Sequence, residues 1–437
     1  MESIWSATGK LPHFPPLWGE VHTDVLIIGG GMAGLLCAYQ LHQAGVSCIV
    51  AEADVLAGGV TKNTTAKITS QHALIYRKLL DTLGSERAGL YLKANQEALQ
   101  TYRSLCQNMD CDFENQDSFV YSRTGKENLE AELTALQQLG YPAEFVQDLP
   151  LPFPVSGAVR FPDQAQFHPL KFLSAITEDL AVYESTPVRH LEKKKAVTDH
   201  GTIYADSIIV ATHFPFLNTH GSYFMKLYQQ RSYALSLENA PSFAGMYKDE
   251  AEDGLSFRSQ GNSLILGGGG HRTGKPGGGW QELERIARQY YPQAGITHRW
   301  AAQDCMSLDG IPYIGQYSAK TPGLYVATGF NKWGMTSSMV AARVLTDLIC
   351  GKGSPYADLF SPSRSMLHPQ LGANAMEAAK DLLTFSKKRC PHMGCALKWN
   401  PQEHSWDCPC HGSRFTESGK LIDNPATRNL KKQKYRK

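Results

Sequence analysis

Apolar residues gather along the chain in short runs that end at glycines, the pattern of buried parallel strands rather than of alternating, half-wet ones. Val25–Ile28 is such a run; it breaks at glycines and opens a periodic segment, predicted helical from about Met32 to Gln43. SCIVAEA follows as the next strand, TIYADSIIVAT (202–212) as another, and GLYVATGFNKWGMTSSMV (323–340) repeats the order of strand, glycine and helix start. A second kind of strand, in QQRSYALSLE and NSLILGGGGH, fits an antiparallel sheet. Residues 366–388 lack strand alternation and read as a helical linker.

The chain has 437 residues, too many for one core and suited to two or three domains. Its 42% apolar and 19% charged content is that of a globular protein, and a net charge of +2 gives no general pull toward nucleic acid or membrane. The apolar run Val25 to Tyr39 has 15 residues and four glycines, too short to span a bilayer. The first twenty residues lack the form of a signal peptide, so a cytoplasmic location without a transmembrane segment is expected. Cys37, Cys48, Cys106, Cys111, Cys305 and Cys350 stand singly and are expected to be reduced packing residues. The other four lie in one terminal cluster.

Gly29, Gly31 and Gly34 have the G-x-G-x-x-G spacing between strand and helix. The first permits the tight turn, the second lets the backbone approach a pyrophosphate, and the third lets helix pack on strand. The following strand ends in Glu52, 18 positions after Gly34, where a carboxylate can accept from a ribose hydroxyl. The motif alone does not separate FAD from NAD. GGGMAG with Glu52, the loop GGVTKNTTAKITSQH, FPDQAQFHPLKFL at 161–173, IIVAT, DGIPYIG at 309–315 and LYVATGFNKWGMTSS stand in order over residues 24–350. Together they resemble the FAD-dependent D-amino-acid, glycine and sarcosine oxidase (DAO) family.

That resemblance implies an α/β protein: a discontinuous Rossmann-like FAD domain (21–80, 151–220 and 300–360) with an antiparallel β substrate domain (81–150 and 221–299) inserted, after an N-terminal extension (1–20). It places the pyrophosphate at Gly29, Gly31, Met32, Ala33 and Gly34, the ribose at Glu52 and the adenine near Val188. The flavin ring falls between the loop carrying Thr61, Thr65 and Lys67 and the segment with Gly329, Trp333, Gly334, Met335 and Thr336. A helix starting near Trp333 would point its positive end at the ring edge that gains negative charge on reduction. The family's covalent flavin cysteine falls near Ala302, with Cys305 too close to Asp309, so FAD is expected to be non-covalent.

GGHRTGK (269–275) imitates a P-loop, but Pro276 follows in place of the magnesium-binding hydroxyl, and GGGW is not read as a helix start. On the substrate side, Arg231 is a candidate carboxylate ligand. His271 lies where the resemblance implies an active-site histidine at a strand end. Sarcosine-oxidase-like members have a carboxylate-binding lysine where this chain has Thr336.

The terminal cluster reads Cys390-x-His392, 15 residues, then Cys408-x-x-His411. Zinc fingers pair like with like, whereas here each loop offers one cysteine and one histidine, which suits two thiolates on one iron and two imidazoles on another. CPHMGC and CPCHGS resemble the two loops of the Rieske [2Fe-2S] family. By that resemblance Cys390 and Cys408 hold the ferric iron, His392 and His411 the other, and Cys395 and Cys410 form a disulfide. Ser413 corresponds to a hydroxyl that bonds a bridging sulfide, and Phe415 replaces a tyrosine, which implies a lower potential within the Rieske range. The module (386–430), after a linker (361–385) and before a basic tail (431–437), looks shortened, with no strands ahead of its first loop.

The expected activity is oxidation of a small amine or amino-acid-like molecule, with electrons passing from FAD to the cluster and on to an unidentified carrier. The alternatives are a reductase driving a partner oxygenase and a redox sensor.

Overall fold

The computed structural model describes residues 2–431; of the expected basic tail only Lys431 falls within them. The apolar runs form a parallel sheet. Gly19–Ile28 lies between Cys48–Ala51 and Gly201–Val210, with Ala181–Tyr183 beyond the former and Leu324–Thr328 beyond the latter. Tyr313–Gln316 closes that edge antiparallel. Met32–Gln43, buried at eight of its twelve positions, packs against the helix Gly334–Ile349. An element enclosed on so many sides is apolar all round rather than striped.

The second layer is a nine-stranded sheet, antiparallel except where Met246–Asp249 runs parallel to Glu114–Ser122. That one parallel pair joins the two inserted halves. The expected domain limits shift here. Gly157–Gln166 and, from residue 300 onward, Gly295–Ser307 were expected in the FAD domain but are strands of this sheet; the latter pairs along Leu227–Glu238. Conversely Tyr76–Cys106, assigned to the substrate domain from residue 81 onward, is a long helical segment kinked at Gly84 and packed on Gly334–Ile349 in the flavin-side core. Strand periodicity identified these elements, but only pairing decides which sheet each joins. A helix does begin at Trp280, contrary to the reading of GGGW, because Trp280, Leu283 and Ala287 at helical spacing are buried on the sheet. The expected N-terminal extension is part of the fold: Trp5 is buried, and its indole N–H donates to the Thr64 carbonyl (2.7 Å).

The helix Pro369–Leu383 leads to a four-stranded antiparallel sheet, Lys398–Asn400, Ser405–Asp407, Arg414–Thr416 and Leu421–Asp423. All four strands follow the first cysteine loop, as expected for a shortened module. It leans on the larger sheet instead. Gln229 Nε2 donates to the His411 carbonyl (2.8 Å), Gln303 Nε2 to that of Gly412 (2.8 Å), and Arg272 to those of Pro409 and Cys410 (both 3.1 Å). Among the described residues no helix is long and apolar enough to cross a membrane.

Candidate functional site

The glycine turn has the steric form the spacing implied. Gly29 has φ +112°, and a Cβ there would sit 2.6 Å from the Ala211 carbonyl oxygen; one at Gly34 would sit 1.9 Å from the Gly29 oxygen. At Gly31 a Cβ would meet only Thr61 Oγ1, at 3.3 Å, so the helix N-terminus faces a cradle. Gly31 supplies no side-chain cap, which leaves room there for an anion. Glu52 is fixed by N–H donors from Gly30 (2.7 Å) and Asp54 (2.9 Å), while burial raises its carboxyl above the ordinary range. Val188 is half-buried beside the apolar cluster that holds Ile49 and Ala51.

From this turn a cavity runs between the two layers. Its walls bring together Met32, Ala33, Thr61, Thr65, Lys67, Gly329, Trp333, Gly334 and Met335, nine of the residues expected around FAD. Gly334 opens its helix, so the N-terminal end faces the cavity. Thr336 is turned away: its hydroxyl donates to the Thr69 carbonyl (3.1 Å) and meets His72 Nε2 (2.9 Å). His72 also stacks under Trp333 at 5.2 Å, a support that no sequence motif marked. Cys305 and Ala302 both line the cavity; burial pushes the Cys305 thiol up to about 12, so it is protonated and a poor nucleophile.

The substrate-side expectations are corrected. Arg231 does not reach the cavity: its guanidinium grips Glu403 of the terminal module (Nε to Oε1 3.0 Å, with Nη2 on Oε2), and both side chains are 4% exposed. The residues that follow it, Ser232, Tyr233 and Ala234, line the cavity, and the strand shifts register between Arg231 and Tyr233. His271 stacks on Tyr233 (5.7 Å), meets the Gly269 carbonyl (3.1 Å) and is not a wall residue. The polar groups that do face the cavity are Lys67, Lys248, Lys332, Glu252, Asp304 and His213. His213 has φ +65°, is half-buried, and its buried Nε2 has no hydrogen-bond partner. Desolvation lowers its pKa and raises that of Asp304. Sequence reasoning missed both; a histidine directly after the strand end Ala211-Thr212 was the available signal.

At the second site Cys395 and Cys410 form a disulfide, as the Rieske resemblance implied. Cys408 lies with their sulfurs within 4.8 Å, but the two joined sulfurs are spent, which leaves Cys408 and Cys390 for iron. Hydrogen bonds, first that with the Cys408 thiol, draw the Cys390 thiol down to about 7 against the effect of burial. The rings of His392 and His411 stand 4.9 Å apart. The Nδ1 atoms of both are buried without a partner, a costly state that ligation to iron would relieve. Two thiols and two unpaired imidazole nitrogens match the donor set of a Rieske cluster. Ser413 Oγ accepts from the Ala426 N–H (2.9 Å), and Phe415 is wholly buried among the cysteines.

The two sites touch. His213 is in the cavity wall, and the next residue, Phe214, packs its ring on His392 (6.5 Å) and His411 (6.2 Å). Asn424 Nδ2 donates to the carbonyls of Thr212 (2.6 Å) and Phe214 (2.9 Å), and the Asn218 side-chain oxygen lies 3.0 Å from His392 Nε2.

A glycine cradle opening on a two-layer cavity, joined to a two-cysteine, two-histidine centre, defines a FAD-dependent oxidoreductase carrying a [2Fe-2S] cluster. Residues 24–348 match the FAD dependent oxidoreductase (DAO) family and 376–434 the Rieske [2Fe-2S] domain. The chain belongs to the DAO family and carries a Rieske domain. It is 34% identical over 496 residues to the Bacillus subtilis (strain 168) protein YhfW, named as a Rieske 2Fe-2S iron-sulfur protein, covering 98% of this chain and 97% of that one. Its terminal part is 49% identical over 41 residues to the cytochrome b6-f complex iron-sulfur subunit of Synechococcus sp. (strain JA-3-3Ab), 9% of this chain and 24% of that subunit. Glycine oxidase from Geobacillus kaustophilus has the same fold (TM-score 0.63, 18% identity, 79% of this chain and 99% of that one). So does L-proline dehydrogenase from P. horikoshii (TM-score 0.65, 16% identity, 80% and 98%).

Proposed function

We propose that the protein is a dehydrogenase of amines or amino-acid-like molecules whose electrons leave through its own Rieske cluster. The observation that carries this reading is the continuous segment Ala211–Phe214: its first and third residues line the flavin cavity, and its last packs on both cluster histidines. FAD, when bound, supplies hydride acceptance from a substrate carbon, and the cluster supplies one-electron uptake.

The chain's own residues do the rest. The N-terminal end of Gly334–Ile349 presents a positive dipole to the cavity, favouring negative charge there. His213, held neutral by burial and unpaired at Nε2, is placed to take a proton from a substrate ammonium, the form that must deprotonate before a C–H bond next to nitrogen is oxidised. Three wall lysines against two carboxylates favour a substrate that also carries an anion. Lys67 Nζ donates to the Tyr247 carbonyl (2.8 Å) and Ser256 Oγ (3.1 Å), which fixes that amine in place, while burial lowers its pKa and so makes its charge depend on an anion beside it. Glycine oxidase and L-proline dehydrogenase, whose folds this chain shares, are named for substrates of that kind.

The test is anaerobic addition of a panel of amines, amino acids and NADH to the holoprotein, with visible spectra recorded. An amine or amino acid bleaches the flavin first and the cluster afterwards. Bleaching of both by NADH alone, with no response to any amine, would overturn the reading.

A further inference from the structure

The helix Pro369–Leu383 is amphipathic in the inverted sense. Its acidic side chains and Asn374 point into the protein: Asn374 accepts from Arg272 Nη1 (3.0 Å), Glu377 pairs with Lys275, and Asp381 is buried beside Lys398 (3.7 Å). Its apolar side chains point out. Met376, Ala379 and Leu383, spaced i, i+3 and i+7, form one exposed stripe, with Leu382 beside it and Phe385 just past the helix end. Met376 is 70%, Leu383 87% and Phe385 91% exposed. Scattered exposed leucines are ordinary, but a contiguous ridge of this kind marks a binding surface.

Charge identifies the partner. Between residues 366 and 398 the acidic residues are Glu377 and Asp381, both turned inward, whereas Lys380 and Arg389 are exposed around the ridge. Within this segment the outward-facing charges are therefore positive. Side chains that stand nine-tenths free line no groove, so a rigid partner would need a matching pocket for each. A lipid surface needs none: apolar side chains enter the boundary region while the cations meet anionic headgroups.

We propose that this ridge docks the protein on an anionic phospholipid surface. Arg389 donates to the carbonyls of Leu382 (3.2 Å) and Gly394 (2.7 Å), which ties the ridge to the cluster loop, where Met393 is also exposed. Docking would hold that loop beside the membrane without any spanning segment. The proposal does not depend on the substrate or on the direction of electron flow.

The experiment is flotation of the full-length holoprotein with vesicles of phosphatidylcholine alone, or with about three parts in ten of phosphatidylglycerol. The protein floats with the anionic vesicles and not with the neutral ones, and added salt releases it. L383D combined with F385D lowers the bound fraction at least ~tenfold, and K380E lowers partitioning ~fivefold or more. K193E, on a distant exposed lysine, changes nothing, and unchanged flavin and cluster spectra show that every variant is folded. Absence of flotation, or equal binding to both vesicles, overturns the proposal. So does a soluble dimer that F385D splits, which would make a second copy the occupant, or retention on an immobilised acidic ferredoxin without flotation.

Discussion

Glu403→Ala isolates what holds the Rieske module against the flavin-bearing body. The Glu403 carboxylate is shared by Arg231 from the large sheet and Arg414 from the module (2.7 Å), with the Tyr233 hydroxyl at 3.3 Å. Arg414 retains Asp407 and Asp423, each at 3.0 Å, whereas Arg231 loses the carboxylate that both ends of its guanidinium grip. Both members of the Arg231–Glu403 pair are 4% exposed, so solvent screening is slight. Removing one partner of a buried pair costs about 3–5 kcal/mol. At 1.4 kcal/mol per tenfold, that is roughly two to three and a half orders of magnitude in the docking equilibrium. His411 is buried only while the module is docked, because Phe214 and Phe224 cover it. The rate of cluster loss to an iron chelator therefore reports the undocked fraction, and Glu403→Ala raises that rate ~100-fold or more. Replacing both residues by methionine restores it to within about tenfold of the parent, since an apolar pair of similar volume costs little. A single variant within about threefold of the parent, or a double variant as labile as the single, would refute the reasoning.

Three further outcomes follow from the same geometry. Gly34→Ala forces a Cβ to 1.9 Å from the Gly29 carbonyl oxygen, an overpacking worth at least ~1–3 kcal/mol, so the purified protein loses bound flavin while keeping its iron. Phe214→Leu removes the ring that touches both cluster histidines, so rapid-mixing spectra show slower cluster reduction with flavin reduction unchanged; equal rates would remove Phe214 from the route. Burial lowers His72 from 6.5 to about 3, so between those values the unfolded chain binds more protons than the folded one. Stability then rises with pH through that window and is lost on acidification, by at most ~1.4 kcal/mol per pH unit. His72→Gln flattens that part of the slope in denaturant midpoints taken on both sides of about pH 5; His168, lowered to about 4, acts in the same direction and keeps part of the slope in the variant. Identical slopes in parent and variant would contradict this role.

The cofactor sites were legible because each depends on short stretches whose chemistry is local. The glycine turn, Glu52 and the two cysteine-histidine loops need particular residue types at fixed spacing, and those survive in one dimension. The substrate side was not legible in that way. Arg231 is a carboxylate ligand, as its type suggested, but its carboxylate belongs to Glu403, 172 positions later. Which face of the strand Leu227–Glu238 meets the cavity is set by pairing with Ser263–Arg272 and Gly295–Ser307, which periodicity alone does not encode. His213 stands just past a strand end in no motif, and only the docked module turns that segment into a bridge. The shortened Rieske sheet was visible as missing alternation before Cys390; what replaces its missing strands, the carbonyls of 409–412 accepting from Gln229, Arg272 and Gln303, was not.

The central claim is that flavin and cluster form one internal circuit through the segment Ala211–Phe214. Anaerobic photoreduction of the flavin in the holoprotein, followed by timed absorbance of the cluster, tests it without any need to know the substrate. The account predicts that the cluster is reduced after the flavin at a rate independent of protein concentration. A cluster that stays oxidised beside fully reduced flavin, or a rate that rises in proportion to concentration, would contradict it.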